Sequence, residues 1–199
     1  MIPGLPSSLT TPRLLLRPYQ PSDAAWYYEM ALANQEHLRR YEAGNSIMTI
    51  HTPAEAEVVV QRMADDWDAR HCFFFAAFEK QTGGFTCQIY VGPLSWDLPE
   101  FTIGYIVEKD HQGQGYVTEA ARVARDFIFE HLHAQRASIE TDDTNLRSIR
   151  VAERLGMVKE AHFRQNRRNP AHKTTPNFQE EIVRTRKRQH ESFLFLRGR

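Results

Sequence analysis

The sequence predicts a mixed α/β protein in which helices pack on a largely antiparallel sheet. Three observations carry this. Two apolar runs of strand length, residues 72–78 and 85–91, flank the turn Thr82-Gly83-Gly84, as in a β-hairpin. Several stretches place apolar residues at helical spacing behind capping residues. A strand-like run also leads through Gly113-Gln114-Gly115 straight into one of these helices.

Taken in order, residues 14–18 read as a first strand that Pro18 stops. Ser22-Asp23 caps a helix over residues 24–34. Thr52-Pro53-Ala54-Glu55 starts a second helix, with proline at its first position and an acid in its first turn. That helix runs to about Trp67 or Asp68, with Ala56, Val59, Val60 and Met63 on one stripe. The Gly-Gly hairpin follows. Gly92-Pro93 and Leu98-Pro99 bracket a loop, and residues 101–107 form the third strand of the meander. A helix from about Tyr116 to His131 buries Ala120, Ala124, Phe127 and Ile128. Residues 137–140 are a short strand, and residues 145–155 a helix that Gly156 is placed to end. Residues 158–163 and 178–184 close the sheet across a polar loop, 167–176. The expected frame is one domain over residues 1–199, with six or seven strands and about four helices.

A chain of 199 residues, 41% hydrophobic and 25% charged, has a globular balance rather than a disordered one. No apolar run reaches the roughly 18 residues that cross a bilayer. The first residues lack the basic and apolar regions of a secretory signal. Two cysteines, Cys72 and Cys87, make no disulfide framework, so a cytoplasmic setting is expected. Formal charge sums to zero but is uneven: residues 159–199 carry a net +7 and residues 1–158 a net −7. A basic tail suits nucleic acid, a solvated face or an anionic ligand.

The glycine turn is the first chemical signal. Without Cβ atoms, Gly113 and Gly115 let backbone bend tightly and approach a ligand closely. The first amides of the next helix lack intrahelical acceptors and sit in the positive end of its dipole. Together these suit a phosphate or pyrophosphate. A dinucleotide turn would need a third glycine where Thr118 stands, and a P-loop would need Gly-Lys-Ser/Thr. Alone, the turn is also compatible with a plain connection.

It is not alone. Gly104-Tyr105-Ile106-Val107, five further residues, then Gly113-Gln114-Gly115-Tyr116-Val117-Thr118-Glu119-Ala120 resemble the core of the GCN5-related N-acetyltransferases (GNAT). The likeness is greatest to the branch that acetylates ribosomal-protein N-termini. The segment from Asn145 through Ser148, Arg150 and Val151 to Leu155-Gly156-Met157 resembles that branch's Asn-x-x-Ser-x-Arg-Val…Leu-Gly-Phe. The opening Leu9-Thr10-Thr11-Pro12-Arg13-Leu14 also fits. The resemblance spans roughly residues 9–163.

It implies acetyl-CoA as cosubstrate, a GNAT-like fold and transfer to a primary amine, first of all a protein N-terminus. Pantetheine would lie along Tyr105, Ile106 and Val107, and pyrophosphate on the turn Gln112, Gly113, Gln114, Gly115, Tyr116, Val117 and Thr118. Asn145 and Ser148 would stand near the thioester. Val117 replaces a small residue of the family pattern and should narrow the room near the phosphates. A base is expected at Glu140, with Glu100 as a second candidate. The tyrosine acid of other branches falls at Ala152, so Ser148 is left to orient or stabilise the departing thiolate. Backbone amides near Tyr105 and Ile106 would polarise the thioester carbonyl.

Other readings are weaker. His131-x-His133 lacks the partners of a zinc site, so no metal is expected. The run Arg184-Thr185-Arg186-Lys187-Arg188 lacks a nucleic-acid reader motif. It is expected to meet the coenzyme 3′-phosphate or an acidic substrate. A non-catalytic acyl-CoA sensor on the same fold, and small-molecule amine acceptors, remain alternatives. A monomer or a homodimer is expected.

Overall fold

The computed structural model describes residues 4–167 and 178–186, with side chains described for residues 4–162. Within them the expected mixed sheet forms, flanked by four helices. The strands are β1 (Leu9–Thr10), β2 (Leu14–Pro18), β3 (Phe73–Glu79), β4 (Phe85–Ser95), β5 (Glu100–Val107), β6 (Arg136–Asp142), β7 (Val158–Arg167) and β8 (Phe178–Arg186). The helices are α1 (Ala24–Glu42), α2 (Pro53–Asp68), α3 (Tyr116–Glu130) and α4 (Leu146–Arg154). The eight strands lie in the order β1-β2-β3-β4-β5-β6-β8-β7. Every neighbouring pair is antiparallel except β5–β6. The two-residue edge strand β1 adds to the seven strands read from the sequence.

The helices divide between the faces, because each strand sends alternate side chains to opposite sides. One face packs Leu14, Leu16, Phe75, Ile89 and Ile103 against Ala120, Ala124, Phe127 and Ile128 of α3 and Ala152 of α4. The other packs Ala76 and Ile106 against Tyr27, Met30 and Leu38 of α1 and Ala56, Val60 and Met63 of α2. The expected stripes of α2 and α3 are therefore the buried ones. Trp67 closes α2 with edge-to-face contacts to Phe73 and Phe75. No helix among the described residues is long and apolar enough to cross a membrane.

Local signals behave as their chemistry requires. Thr52 and Glu55 form a capping box at the start of α2. Gly156, at φ +74°, ends α4 with Gly156 N–H bonding Glu153 O and Met157 N–H bonding Ala152 O.

Three segments differ from expectation. First, α1 runs on to Glu42 instead of stopping at Asn34, held by polar contacts rather than by an apolar stripe alone. Asn34 Oδ1 accepts from Lys109 N at 2.8 Å, His37 Nε2 donates to Val107 O at 3.0 Å, and Tyr41 Oη donates to Thr144 O at 3.2 Å. These residues share one helix face. Second, Asp23 holds the N-cap position of α1, but its side chain makes no capping hydrogen bond to the helix. Its carboxylate is buried and accepts from Arg17 twice (2.6 and 2.7 Å), Gln20 N (2.8 Å) and Trp26 Nε1 (2.9 Å). Burial pushes this carboxyl up, but the hydrogen bonds from Arg17, Trp26 and Gln20 outweigh it and hold it below its ordinary value. Third, Gly92-Pro93 lies inside β4, where the register shifts between Pro93 and Ser95. A Cβ on Gly92 would meet Tyr90 Oη at 2.0 Å, so glycine makes room for the Tyr90 ring.

The loop expected over 167–176 lies outside the described residues except at Arg167. Of the basic run 184–188, only the backbone of Arg184, Thr185 and Arg186 is described.

Candidate active site

Strands β5 and β6 pair only from Glu100↔Arg136 to Thr102↔Ser138. Beyond that they part, and a cleft of about 690 Å³ opens between them. Its walls are Ile103–Ile106 of β5, residues 139–142 of β6, the end of α1 with the residues after it (40–46), and Asn145 and Ser148. Successive residues of a strand direct their backbone polar groups to alternate sides. Glu108 N–H bonds Thr86 O across β4, so Val107, Tyr105 and Ile103 direct theirs into the gap. His37 occupies the Val107 carbonyl. The gap thus offers a strand edge to an amide-rich ligand.

The glycine turn follows β5. Gly113 and Gly115 sit at φ +74° and +82°, in the left-handed region, which gives the tight bend expected from the absence of Cβ atoms. Gly115 is the N-cap of α3 and no side chain caps the helix, so the amides of Tyr116, Val117 and Thr118 lack intrahelical acceptors. The half-buried Val117 side chain packs against the main core.

Arg13 braces this turn. Its Nη1 donates to Gln114 O at 3.1 Å, its Nε to Glu119 Oε2 at 2.7 Å, and its guanidinium lies 4.2 Å from the Tyr116 ring centre. Glu119 also accepts from Arg13 N at 3.0 Å and Thr11 Oγ1 at 2.5 Å. Burial pushes the Glu119 carboxyl up, yet the bonds from Thr11 and Arg13 hold it below its ordinary value. Tyr116 Oη in turn donates to Glu79, and Arg147 of α4 donates to Gln112. The segment 11–13 is thereby tied to the first turn of α3.

In the wall of the cleft, Tyr105 Oη and Ser148 Oγ share a hydrogen bond of 2.7 Å. Burial pushes the Tyr105 phenol up to about 12, so it stays protonated and able to donate near neutral pH. Asn145 caps α4, its Oδ1 accepting from Ser148 N at 3.2 Å. Its Nδ2 has no protein acceptor among the described residues.

The structure brings Asn145, Ser148, Glu140, Tyr105 and Ile106 into one cleft. It does not bring Glu100 there. Glu100 stands five residues before Tyr105, about 17 Å along an extended strand, and lies 3.9 Å from Arg136. The alternation of side chains put it on the right face but at the wrong end. Sequence reasoning also missed the Tyr105 hydroxyl, the Arg13–Glu119 brace and Glu42, which lines the cleft from the end of α1. The Thr11-Pro12-Arg13 segment was visible in the sequence, but not what it grips.

Cys72 and Cys87 are free, and burial pushes their thiols up to about 11 and about 12, as befits unreactive groups. Among the described residues no group of three or more His, Cys, Asp and Glu side chains could hold a metal ion.

A parted pair of parallel strands, followed by an uncapped Gly-x-Gly helix start, defines the architecture of an acyl-coenzyme-type transferase. Comparison with known proteins makes this specific. The family model described as "Acetyltransferase (GNAT) domain" matches residues 13–158, and the chain belongs to that family of N-acetyltransferases. The ribosomal N-acetyltransferase candidate YdaF of Bacillus subtilis is 26% identical over 153 residues, 76% of this chain and 81% of YdaF. A segment of 64 residues is 41% identical to a B. subtilis relative, YjcK, and spans 32% of this chain but only 35% of YjcK. Among solved structures, the ribosomal-protein-S5-alanine acetyltransferase of Vibrio fischeri superposes with a TM-score of 0.78 at 18% identity, covering 90% of this chain and 96% of that one. The ribosomal L7/L12 α-N-protein acetyltransferase RimL, solved with coenzyme A, gives 0.79 at 15% identity and covers 92% and 97%. At these identities the structural likeness concerns the fold.

Proposed function

We propose that this chain transfers the acetyl group of acetyl-CoA to a primary amine, by direct attack in a ternary complex, with a protein N-terminal amine as first acceptor. One observation carries the reading most: the gap between β5 and β6 is lined by the Tyr105–Ser148 hydroxyl pair and is followed along the chain by a glycine turn into a helix that no side chain caps. Pantetheine would pair with the exposed edge at Tyr105 and the Val107 amide, whereas Ile106, expected from sequence to share this role, turns its backbone polar groups to β4. The pyrophosphate would rest on the amides from Gln112 to Thr118, and the free Asn145 amide would meet the ligand near its thioester. The solved relatives named for ribosomal proteins support the choice of acceptor. Holding the amine against the thioester in such a cleft supplies much of the acceleration by itself.

The test is free-thiol release from acetyl-CoA over a panel: the pentapeptide Ser-Ala-Ala-Ala-Ala amide, its N-acetylated form, spermidine and free amino acids. Release with the free peptide and none with the blocked one is expected. Turnover of spermidine alone would favour a small-molecule acceptor. Tight coenzyme binding with no release from any amine would favour a sensor. The paired substitution Asn145→Ala and Ser148→Ala should lower kcat at least tenfold while shifting the acetyl-CoA Kd less than threefold. A larger loss in Kd than in kcat would move both residues from chemistry to binding.

The brace on the turn has its own consequence. Arg13→Ala removes hydrogen bonds to Glu119 and Gln114 and leaves a partly buried carboxylate without its cation. Charge-assisted bonds of this kind contribute about 1.5–3 kcal/mol, so a rise of about tenfold in the CoA Kd is expected by calorimetry. A change below twofold would show that the turn holds its shape without Arg13.

A further inference from the structure

The cleft has a carboxylate that neither the strands nor α4 supply. Glu42 is the last residue of α1, which runs eight residues beyond the end its sequence suggested. It lines the cleft together with Tyr105, Ser148 and Asn145. Asn45 Nδ2 donates to its Oε2 at 3.2 Å, and Asn45 N–H bonds the Glu42 carbonyl at 2.9 Å, so the carboxylate is held by its own loop. No protein donor among the described residues meets its Oε1. The helix end is itself anchored, since Tyr41 Oη reaches over to Thr144 O beside Asn145.

We propose that Glu42 is the catalytic base, taking the proton from the acceptor ammonium as the amine enters from the α1 side, facing the Tyr105–Ser148 pair. This rests on the acetyl-transfer reading above. The ammonium gives one proton to Glu42 Oε1. The freed nitrogen pair attacks the thioester carbonyl carbon, a C–N bond forms, and the carbonyl π pair moves to oxygen. Collapse breaks the C–S bond, and sulfur leaves with its electron pair towards the hydroxyls of Ser148 and Tyr105. The second nitrogen proton passes to sulfur, giving free thiol, and Glu42 returns its proton to solvent.

The surroundings favour this residue over Glu140, the base expected from sequence. Glu140 already interacts with a neighbour, whereas Glu42 keeps one oxygen open. The charged and titratable groups around the cleft are Arg40 and Tyr41 on α1, Tyr90 on β4, Tyr105 on β5, and Glu140 and Asp142 on β6. Burial pushes the Glu42 carboxyl up to about 7, partly opposed by Asn45. A peptide α-amine has an ordinary pKa of about 8, so base and amine are nearly matched.

The experiment compares the wild type with Glu42→Gln and Glu42→Asp, using the panel amine that the wild type turns over fastest, between pH 5.5 and 9. The wild-type kcat/KM should rise through a limb near pH 7, besides the limb of the amine itself. In Glu42→Gln the limb near 7 disappears and kcat/KM falls about 100-fold, the usual reach of a general base. Its acetyl-CoA Kd stays within twofold of wild type, which also reports a folded cleft. Glu42→Asp keeps the limb at a reduced rate. A Glu42→Gln enzyme within threefold of wild type at pH 8, or one that keeps the limb, overturns the role of Glu42 alone. So does a variant whose only defect is weaker coenzyme binding. A wild type that releases thiol with no amine of the panel overturns the acetyl-transfer reading and this inference with it.

Discussion

Gly115→Asp is expected to raise the acetyl-CoA Kd by about 100-fold. Gly115 caps α3 at φ +82°, and a Cβ there would meet nothing closer than Arg13 Nη2 at 3.7 Å. Space is therefore not the obstacle. Two other effects are. A left-handed residue with a side chain costs about 1–2 kcal/mol relative to glycine. More important, the new carboxylate lies among the uncapped amides and within reach of Arg13, where it occupies the donors a pyrophosphate would use and repels its charge. Gly115→Asn separates the two, because asparagine tolerates the conformation and adds no charge. It should raise Kd by about tenfold or less, and the gap between the variants should narrow with salt. Titration calorimetry with CoA at low and high salt reads both. An Asp variant with wild-type affinity would remove the turn from the coenzyme site.

Asp23→Ala should destabilise the fold by about 3 kcal/mol, the scale of removing one partner from a buried ion pair. Asp23 accepts four hydrogen bonds from side chains and backbone, and its side chain is 5% exposed against 26% for Arg17. Alanine leaves the Arg17 guanidinium without its partner at the foot of α1. Urea unfolding at pH 7 measures the loss. Asp23 is held below its ordinary value in the fold. Its contribution is therefore present above the unfolded carboxyl range and fades as pH falls through the folded value. The difference between wild type and Asp23→Ala should accordingly shrink in strong acid. A difference unchanged between pH 7 and pH 2 would show that the loss is one of packing. Since α1 carries Asn34, His37, Tyr41 and Glu42, an acid-sensitive foot also bears on the cleft.

The sequence by itself determined what depends on neighbours within a turn or two of chain. Thr52 and Glu55 opened α2, Gly156 closed α4, and Gly113 and Gly115 took the left-handed conformations that only glycine adopts without cost. The stripe Ala120, Ala124, Phe127 and Ile128 named the buried face of α3, because helical period alone selects it. Only the tertiary structure decided where the chemistry gathers. Tyr105 meets Ser148 across 43 residues and Arg13 meets Glu119 across 106, pairings no local pattern encodes. Glu100 and Glu140 looked alike as strand carboxylates, yet the point at which β5 parts from β6 leaves the first outside the cleft and the second within it. Glu42 arrived there because distant strand ends, through Lys109, Val107 and Thr144, hold a polar half of α1 that its own sequence marked only weakly as helix.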